Sequence, residues 1–433
     1  MTPVEIGVIG IIALFALLAI RVPAGIAMIV VAAIGNSMLS SAGPALLKMG
    51  SDLIRTTQSQ TLSVVPLFVL MGIFLAKADL GVHLFDLLNY FVGRRKGGMA
   101  TATIGAGILF GSVSGSCIAA STTLASACAP EMRRHNYEEG FSVGICAVGA
   151  CVGMVIPPSS ALVVYGFLTE ESIGQVLMGG IIPGLLTGSL LMLTVPIVVR
   201  LRPNMAPKAT LEKTPFPWKT LKAVWGIPVI FLAVFGGIYL GWATTTEAGA
   251  IGAFSSMVFA LLMRKLSLKV FINTLTEAAK VTAMVFFMIM GGNVFGVFLQ
   301  RSLIPMALTD FVATLDIAPV FMILLFLLVY TVLGLFMDEM ATLIIMTPIA
   351  YPIAISLGYN GIWFGVMSIM MLLTGTVSPP VGIVTMVSSA VSKVSSTKVF
   401  ASQWPFWITL IISCIIIASF PGISMLIPNL MYS

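Results

Sequence analysis

The sequence predicts an all-α polytopic membrane protein of about ten crossings plus two re-entrant hairpins in an inverted repeat. Three observations carry that prediction. The first is composition: the 433 residues are 58% hydrophobic and only 9% charged, with a mean hydropathy of +1.09. Soluble domains carry about a quarter charged residues, so many of these segments must lie in lipid. The second is a long apolar stretch, 99–130, closed by Arg94, Arg95 and Lys96 on one side and Arg133, Arg134 and His135 on the other. Short basic loops stay on the cytoplasmic side, and a single crossing cannot join two loops on the same side. The stretch is therefore read as a hairpin that turns at Gly111-Ser112-Val113-Ser114-Gly115-Ser116. Backbone that turns inside a bilayer survives only where protein or a watery cavity satisfies it, which makes the tip a candidate site. The third observation is a repeat of landmarks. Gly111 is followed 46 positions later by Pro157-Pro158, and Gly334 is followed 45 positions later by Pro379-Pro380.

Taken in order, residues 1–98 hold spans near 4–20, 23–40 and 60–77 and an amphipathic arm, Val82 to Val92. The first span lacks a basic leader and a cleavage signal, so it is expected to be retained. The first repeat, 99–199, comprises the hairpin 99–130, a Pro-broken span 141–167 and a following span 176–199. Residues 200–222, rich in Pro and Lys, form a cytoplasmic linker between halves. Residues 223–317 hold spans near 224–241, 248–263 and 281–299, with a polar arm at 267–280. The second repeat, 318–392, has acidic or neutral flanks, so its hairpin 318–352 is expected to enter from outside; its Pro-broken span is 361–392. Residues 393–433 contain a last span near 404–428, and both termini are placed outside.

Each proline pair interrupts an apolar span. Proline removes an N–H, clashes with the carbonyl four residues earlier and pushes the preceding residue out of helical conformation. Two in succession unwind the helix and free several carbonyls. Oppositely oriented repeats with broken helices at the midplane are the sequence pointer to the site of a secondary transporter. Asp338 and Glu339 are the only acidic residues deep in an apolar segment, and intramembrane carboxylates default to functional.

Several chemistries are excluded or weakened. Cys117, Cys128, Cys146, Cys151 and Cys414 sit in apolar stretches without paired CxxC spacing, so neither a zinc site nor a disulfide framework is expected. No Gly-Lys dipeptide exists, which removes a Walker A loop. Val113 stands where a nucleophile elbow needs Ser. The only histidines, His83 and His135, lie near charged loops, away from a Ser-His-Asp arrangement. The net charge of +6 comes from short basic runs between spans and does not imply nucleic acid.

Together with Gly111 to Ser116, the segments Ile156-Pro157-Pro158-Ser159, Ile182-Pro183-Gly184 and Val377-Ser378-Pro379-Pro380-Val381-Gly382 resemble the large membrane subunit of tripartite ATP-independent periplasmic (TRAP) transporters over nearly the whole chain. The resemblance implies an elevator-type, sodium-coupled importer of a small organic acid, such as a C4-dicarboxylate or sialic acid, in the bacterial inner membrane. It also implies a smaller Q-type membrane subunit and a P-type periplasmic substrate-binding protein as partners, and no cofactor beyond Na+ as coupling ion. Sodium takes oxygen ligands, and carbonyls and hydroxyls supply them without leaving a bare charge in lipid. Matching unwound backbone between halves, together with the resemblance, assigns one sodium site to Ser112 and Ser114 with carbonyls near Gly153, Ile156 and Pro158. A second uses Gly334, Gly375, Ser378 and Val381. The substrate is expected between the tips, near Ser114, Ser116, Asp338 and Thr376. A permease or channel of another mechanism stays open as an alternative. So does a membrane-embedded hydrolase using Ser114 or Asp338, against which the lack of a base near Ser114 argues.

Overall fold

The computed structural model describes residues 1–78, 80–207, 218–314 and 319–431, and the regular structure among them is helical. The centre of the expected linker, 208–217, and Asp316 lie outside the described residues. The N-terminal part comprises α1 (Pro3–Ala19), α2 (Ala24–Leu39), α3 (Ala42–Thr57), a 3-10 turn (Gln60–Ser63), α4 (Val64–Lys77) and α5 (Leu80–Val92). The first repeat follows as α6 (Gly98–Ser114), α7 (Cys117–Arg134), α8 (Glu139–Gly153), α9 (Ser160–Thr169) and α10 (Ile173–Leu201). Next come α11 (Trp218–Val224), α12 (Gly226–Tyr239), α13 (Thr245–Leu262), α14 (Leu268–Arg301) and α15 (Ile304–Thr314). The second repeat is α16 (Pro319–Phe336), α17 (Glu339–Ser356), α18 (Gly361–Thr376) and α19 (Ile383–Ser392); α20 (Ser396–Ser419), the counterpart of α10, and α21 (Gly422–Leu430) follow it.

Helix starts follow local chemistry. Thr2 and Glu5 form a reciprocal capping box on α1, and Thr244 and Glu247 do the same on α13. Six of the described helices are long and apolar enough to cross a membrane alone, among them α10, α14 and α20. Helices α6, α8 and α18 are shorter, at 17, 15 and 16 residues. At 17 residues α6 extends about 25 Å, and it needs α7 to return its chain. The expected hairpins are present as α6–α7 and α16–α17, and the expected breaks separate α8 from α9 and α18 from α19.

The two repeats run in opposite directions. Tyr165, late in the first broken span, donates its hydroxyl to the carbonyl of Gly361, which starts the second, at 2.7 Å. Glu138, just before the first broken span, accepts from Ser402 at 2.7 Å, only ten residues beyond the end of α19 at Ser392. The corresponding helices α10 and α20 are also antiparallel: Thr194 meets Thr409 at 2.8 Å, and Arg202 at the end of α10 reaches the carbonyl of Ala401 near the start of α20.

Two features depart from the sequence reading. The polar segment 267–280 is no separate arm; it continues without interruption into the following span as the 34-residue α14. Ser267 caps its start and the helix contains no proline, so nothing ends it at residue 280. The chain between the second and third expected spans forms α3, a helix with a polar face that lacks the hydropathy of a span. Asn293 of α14 donates to Thr56 of α3 at 2.7 Å and ties the two together.

Candidate functional site

At the first tip, Gly115 adopts a left-handed φ of +64° that L side chains rarely tolerate. It closes α6 through its N–H to the Gly111 carbonyl at 3.2 Å, and the next residue, Ser116, caps α7 by accepting from Ala119 at 3.3 Å. Ser114 shares its hydroxyl between the carbonyls of Gly111 (3.3 Å) and Ser116 (3.2 Å). Ser112 is buried and donates to Leu109 within α6 at 2.9 Å. The first tip thus collects hydroxyls and carbonyls in one turn. Gly72 of α4 presses on it from the N-terminal part, where any side chain would strike the Val113 carbonyl.

Facing this tip, α8 ends at Gly153. Ile156 still donates to the Gly153 carbonyl at 3.1 Å, and the chain then turns through a cis Pro157-Pro158 bond before Ser159 caps α9 on the Leu162 N–H at 3.2 Å. Residues 153–160 are all buried. Gly153 and Ser112 are in direct contact: a Cβ on Gly153 would sit 2.6 Å from the Ser112 nitrogen. Gly153, Ile156 and Pro158 therefore lie along one unwound segment that begins against the first tip.

The second half repeats the arrangement with different chemistry. Asp338 caps α17, accepting from Met340 at 3.2 Å, and is half-buried. Its neighbour Glu339 is the one turned inward, at 5% exposure. Gly334 crosses Gly375 of α18, where a Cβ on Gly375 would lie 3.2 Å from the Gly334 Cα. Beyond Gly375, Ser378 donates its N–H back to the Gly375 carbonyl at 2.9 Å, a cis Pro379-Pro380 bond follows, and Gly382 starts α19 at a φ of +37°. Thr376 is buried, donates to Leu373 at 2.8 Å and lies 3.6 Å from the Cys151 sulfur of α8. That contact joins the two broken spans near their breaks.

The halves differ in exposure. Pro157 and Pro158 are buried, whereas Pro379 and Pro380 are exposed and Val381 is half-buried. Ala119, Thr123 and Ser126 form an exposed, largely polar face on α7, while α17 is buried continuously from Glu339 to Thr347. From the sequence, Cys151 is named only among the cysteines of apolar stretches and Gln403 is not singled out. Gln403, on α20, is buried and donates to the Val377 carbonyl at 2.7 Å. Its signal was an amide at the edge of an apolar span, a position that ordinarily reads as interfacial. A polar cleft of about 620 Å³ lies apart from the tips, between α3, the end of α9 and α14, with Lys48, Arg55, Glu170 and Glu171 among its walls.

An all-helical membrane protein with two antiparallel units, each a hairpin set against a proline-split span, belongs to the class of secondary transport proteins. The family model described as the tripartite ATP-independent periplasmic transporter, DctM component, matches residues 11–423, and the chain belongs to that family. It is a membrane permease component of the bacterial inner membrane, and its relatives are transporters, not enzymes. The chain is 33% identical over 381 residues to the C4-dicarboxylate TRAP transporter large permease protein DctM of Pseudomonas aeruginosa, covering 87% of this chain and 88% of that one. It is 32% identical over 372 residues to the sialic acid TRAP transporter large permease protein SiaM of Vibrio cholerae, with 86% of each covered. In fold it matches the crystal structure of the Alcanivorax borkumensis YdaH transporter with a TM-score of 0.71 over 98% of both chains, at 12% identity.

Proposed function

We propose that this chain is the transport subunit of a sodium-coupled importer of a small organic acid, operating by an elevator-type movement of the two repeats against the remaining helices. The observation that carries the reading is the antiparallel pairing of α8–α9 with α18–α19, each break met by a hairpin tip of its own half. Carbonyls released at the breaks, with the hydroxyls of Ser112 and Ser114 in the first half, suit a hard monovalent cation. Gly153, Ile156 and Pro158 complete the first sodium site; Gly334, Gly375, Ser378 and Val381 form the second. The substrate carboxylate is held between the tips by Ser114, Ser116 and Thr376, where the N-terminus of α7 offers partial positive charge without a buried Arg. Asp338, capping α17, borders that space.

The family relatives named for C4-dicarboxylate and sialic acid point to a carboxylate substrate. A tripartite transporter adds a Q-type small membrane subunit and a P-type periplasmic binding protein that delivers the acid. An inward sodium gradient would supply about 2.3 kcal/mol per charge per 100 mV plus its concentration term. The test is uptake of a radiolabelled C4-dicarboxylate and of sialic acid into proteoliposomes holding the two membrane subunits and the binding protein. Accumulation of either acid that needs an imposed sodium gradient supports the reading; uptake indifferent to sodium, or driven only by ATP, overturns it.

A further inference from the structure

We infer that Gln403 is a positioning residue for the second candidate cation site, bracing the break in the second proline-split span from a neighbouring helix. The inference rests on the sodium reading above. Helix α18 ends at Thr376 and α19 starts at Ile383, so Val377 to Gly382 carry backbone groups without helical partners. One side-chain amide touches both ends of that gap. Gln403 donates through Nε2 to the carbonyl of Val377, the first residue beyond α18, at 2.7 Å. Its Oε1 accepts from the hydroxyl of Thr385, in the first turn of α19, at 3.1 Å. Gln403 is 2% exposed, and Gly144 of α8 makes room for it, since a Cβ there would stand 3.1 Å from the Gln403 Cβ.

The first half needs no such brace. There Ser159 caps α9 from within the span, and the Val155 carbonyl rests against Gly180 of α10, where a side chain would collide with it. In the second half the helix-starting residue is Gly382, which has no side chain to cap with. The exposed Pro379 and Pro380 also leave this break without the packing that buries Pro157 and Pro158. Gln403 therefore occupies the Val377 carbonyl and fixes the ends of the segment that holds Ser378 and Val381, the residues assigned above to the second cation site. A buried amide left without either partner is costly, so this bonding pattern selects one geometry for the break. The two cation sites then differ: the first is preformed by packing, the second depends on a hydrogen bond from α20.

The test measures the sodium concentration giving half-maximal thermal stabilisation of the purified protein, alongside sodium activation of uptake. Gln403→Met keeps length and volume but removes both bonds. It should raise the half-maximal sodium concentration about tenfold, the worth of one buried hydrogen bond, with substrate half-saturation at saturating sodium unchanged within twofold. Thr385→Val should shift sodium in the same direction by less, and Thr385→Ser should restore it; this pair carries the test should Gln403→Met fold poorly. A lower melting temperature with the sodium dependence of the wild type in Gln403→Met or Thr385→Val would make Gln403 a packing residue and overturn the inference. Absence of any sodium stabilisation in the wild type would instead remove the sodium reading itself.

Discussion

Gly111 and Gly153 cross with their backbones in contact: a Cβ built on Gly111 would lie 3.2 Å from the Gly153 Cα. The second half holds the same crossing between Gly334 and Gly375, where a Cβ on Gly334 would lie 2.6 Å from the Leu372 carbonyl and 3.5 Å from the Gly375 Cα. Membrane helices gain little from burying apolar surface against one another and associate through close packing, for which glycine is suited. Each hairpin is thus joined to its broken span by a glycine crossing. Gly111→Ala and Gly375→Ala should each destabilise by about 1–3 kcal/mol, the cost of overpacking, read as a lower melting temperature in detergent. Gly236→Ala on α12, where nothing lies within 4 Å, is the control and should melt at or above the wild type.

Asp338 caps a helix and is also proposed to border the substrate, and the two roles are separable by mutation. As the cap of α17 it accepts from the Met340 N–H, and Asp338→Ala should cost about 1 kcal/mol of stability. Asp338→Asn keeps the cap and removes the charge. Comparing uptake by the two separates the roles: if the carboxylate charge shapes the substrate or cation site, Asp338→Asn transports poorly while melting like the wild type. Wild-type uptake by Asp338→Asn would reduce the residue to a cap.

Ser114 lies where the tip offers its hydroxyl between two carbonyls. Ser114→Ala should raise the sodium concentration for half-maximal uptake by about tenfold, the scale of one lost oxygen ligand or hydrogen bond. Sodium titration of initial uptake rates checks this, and an unchanged titration would remove Ser114 from the first site.

The halves are clasped by Tyr351, whose hydroxyl donates to Glu171 at 2.8 Å across the two repeats. Tyr351→Phe deletes that bond with little change in shape. A loss of about 1 kcal/mol is expected after allowing for partial solvent exposure of the pair. Thermal unfolding with matched lipid content measures it, and a melting temperature equal to the wild type would show the clasp to be idle.

Much of this architecture was legible in the sequence because charge and proline act locally. The basic clusters flanking 99–130 and the glycine–serine turn located the first hairpin, observed as Gly98–Arg134, and the proline pairs marked both breaks. What escaped detection depended on neighbours. In a chain that is 58% hydrophobic, apolar periodicity says little about which face is buried, so α3 was missed and α14 was divided where its composition, but not its backbone, changes. Nothing in two Pro-Pro dipeptides tells that one is buried and the other exposed. The order of Asp338 and Glu339 likewise did not reveal that the first caps a helix while the second points inward.

The inverted arrangement, with two hairpins that open to opposite faces of the membrane, is tested most directly by side-specific labelling. All five native cysteines are buried, so an impermeant maleimide reports on single cysteines introduced at exposed Lys96, His135 and Ser356. Lys96→Cys and His135→Cys should label only from the cytoplasmic face, and Ser356→Cys only from the periplasmic face. Labelling of positions 96 and 135 from different faces, or of all three from one face, would contradict the inverted arrangement and the transport mechanism drawn from it.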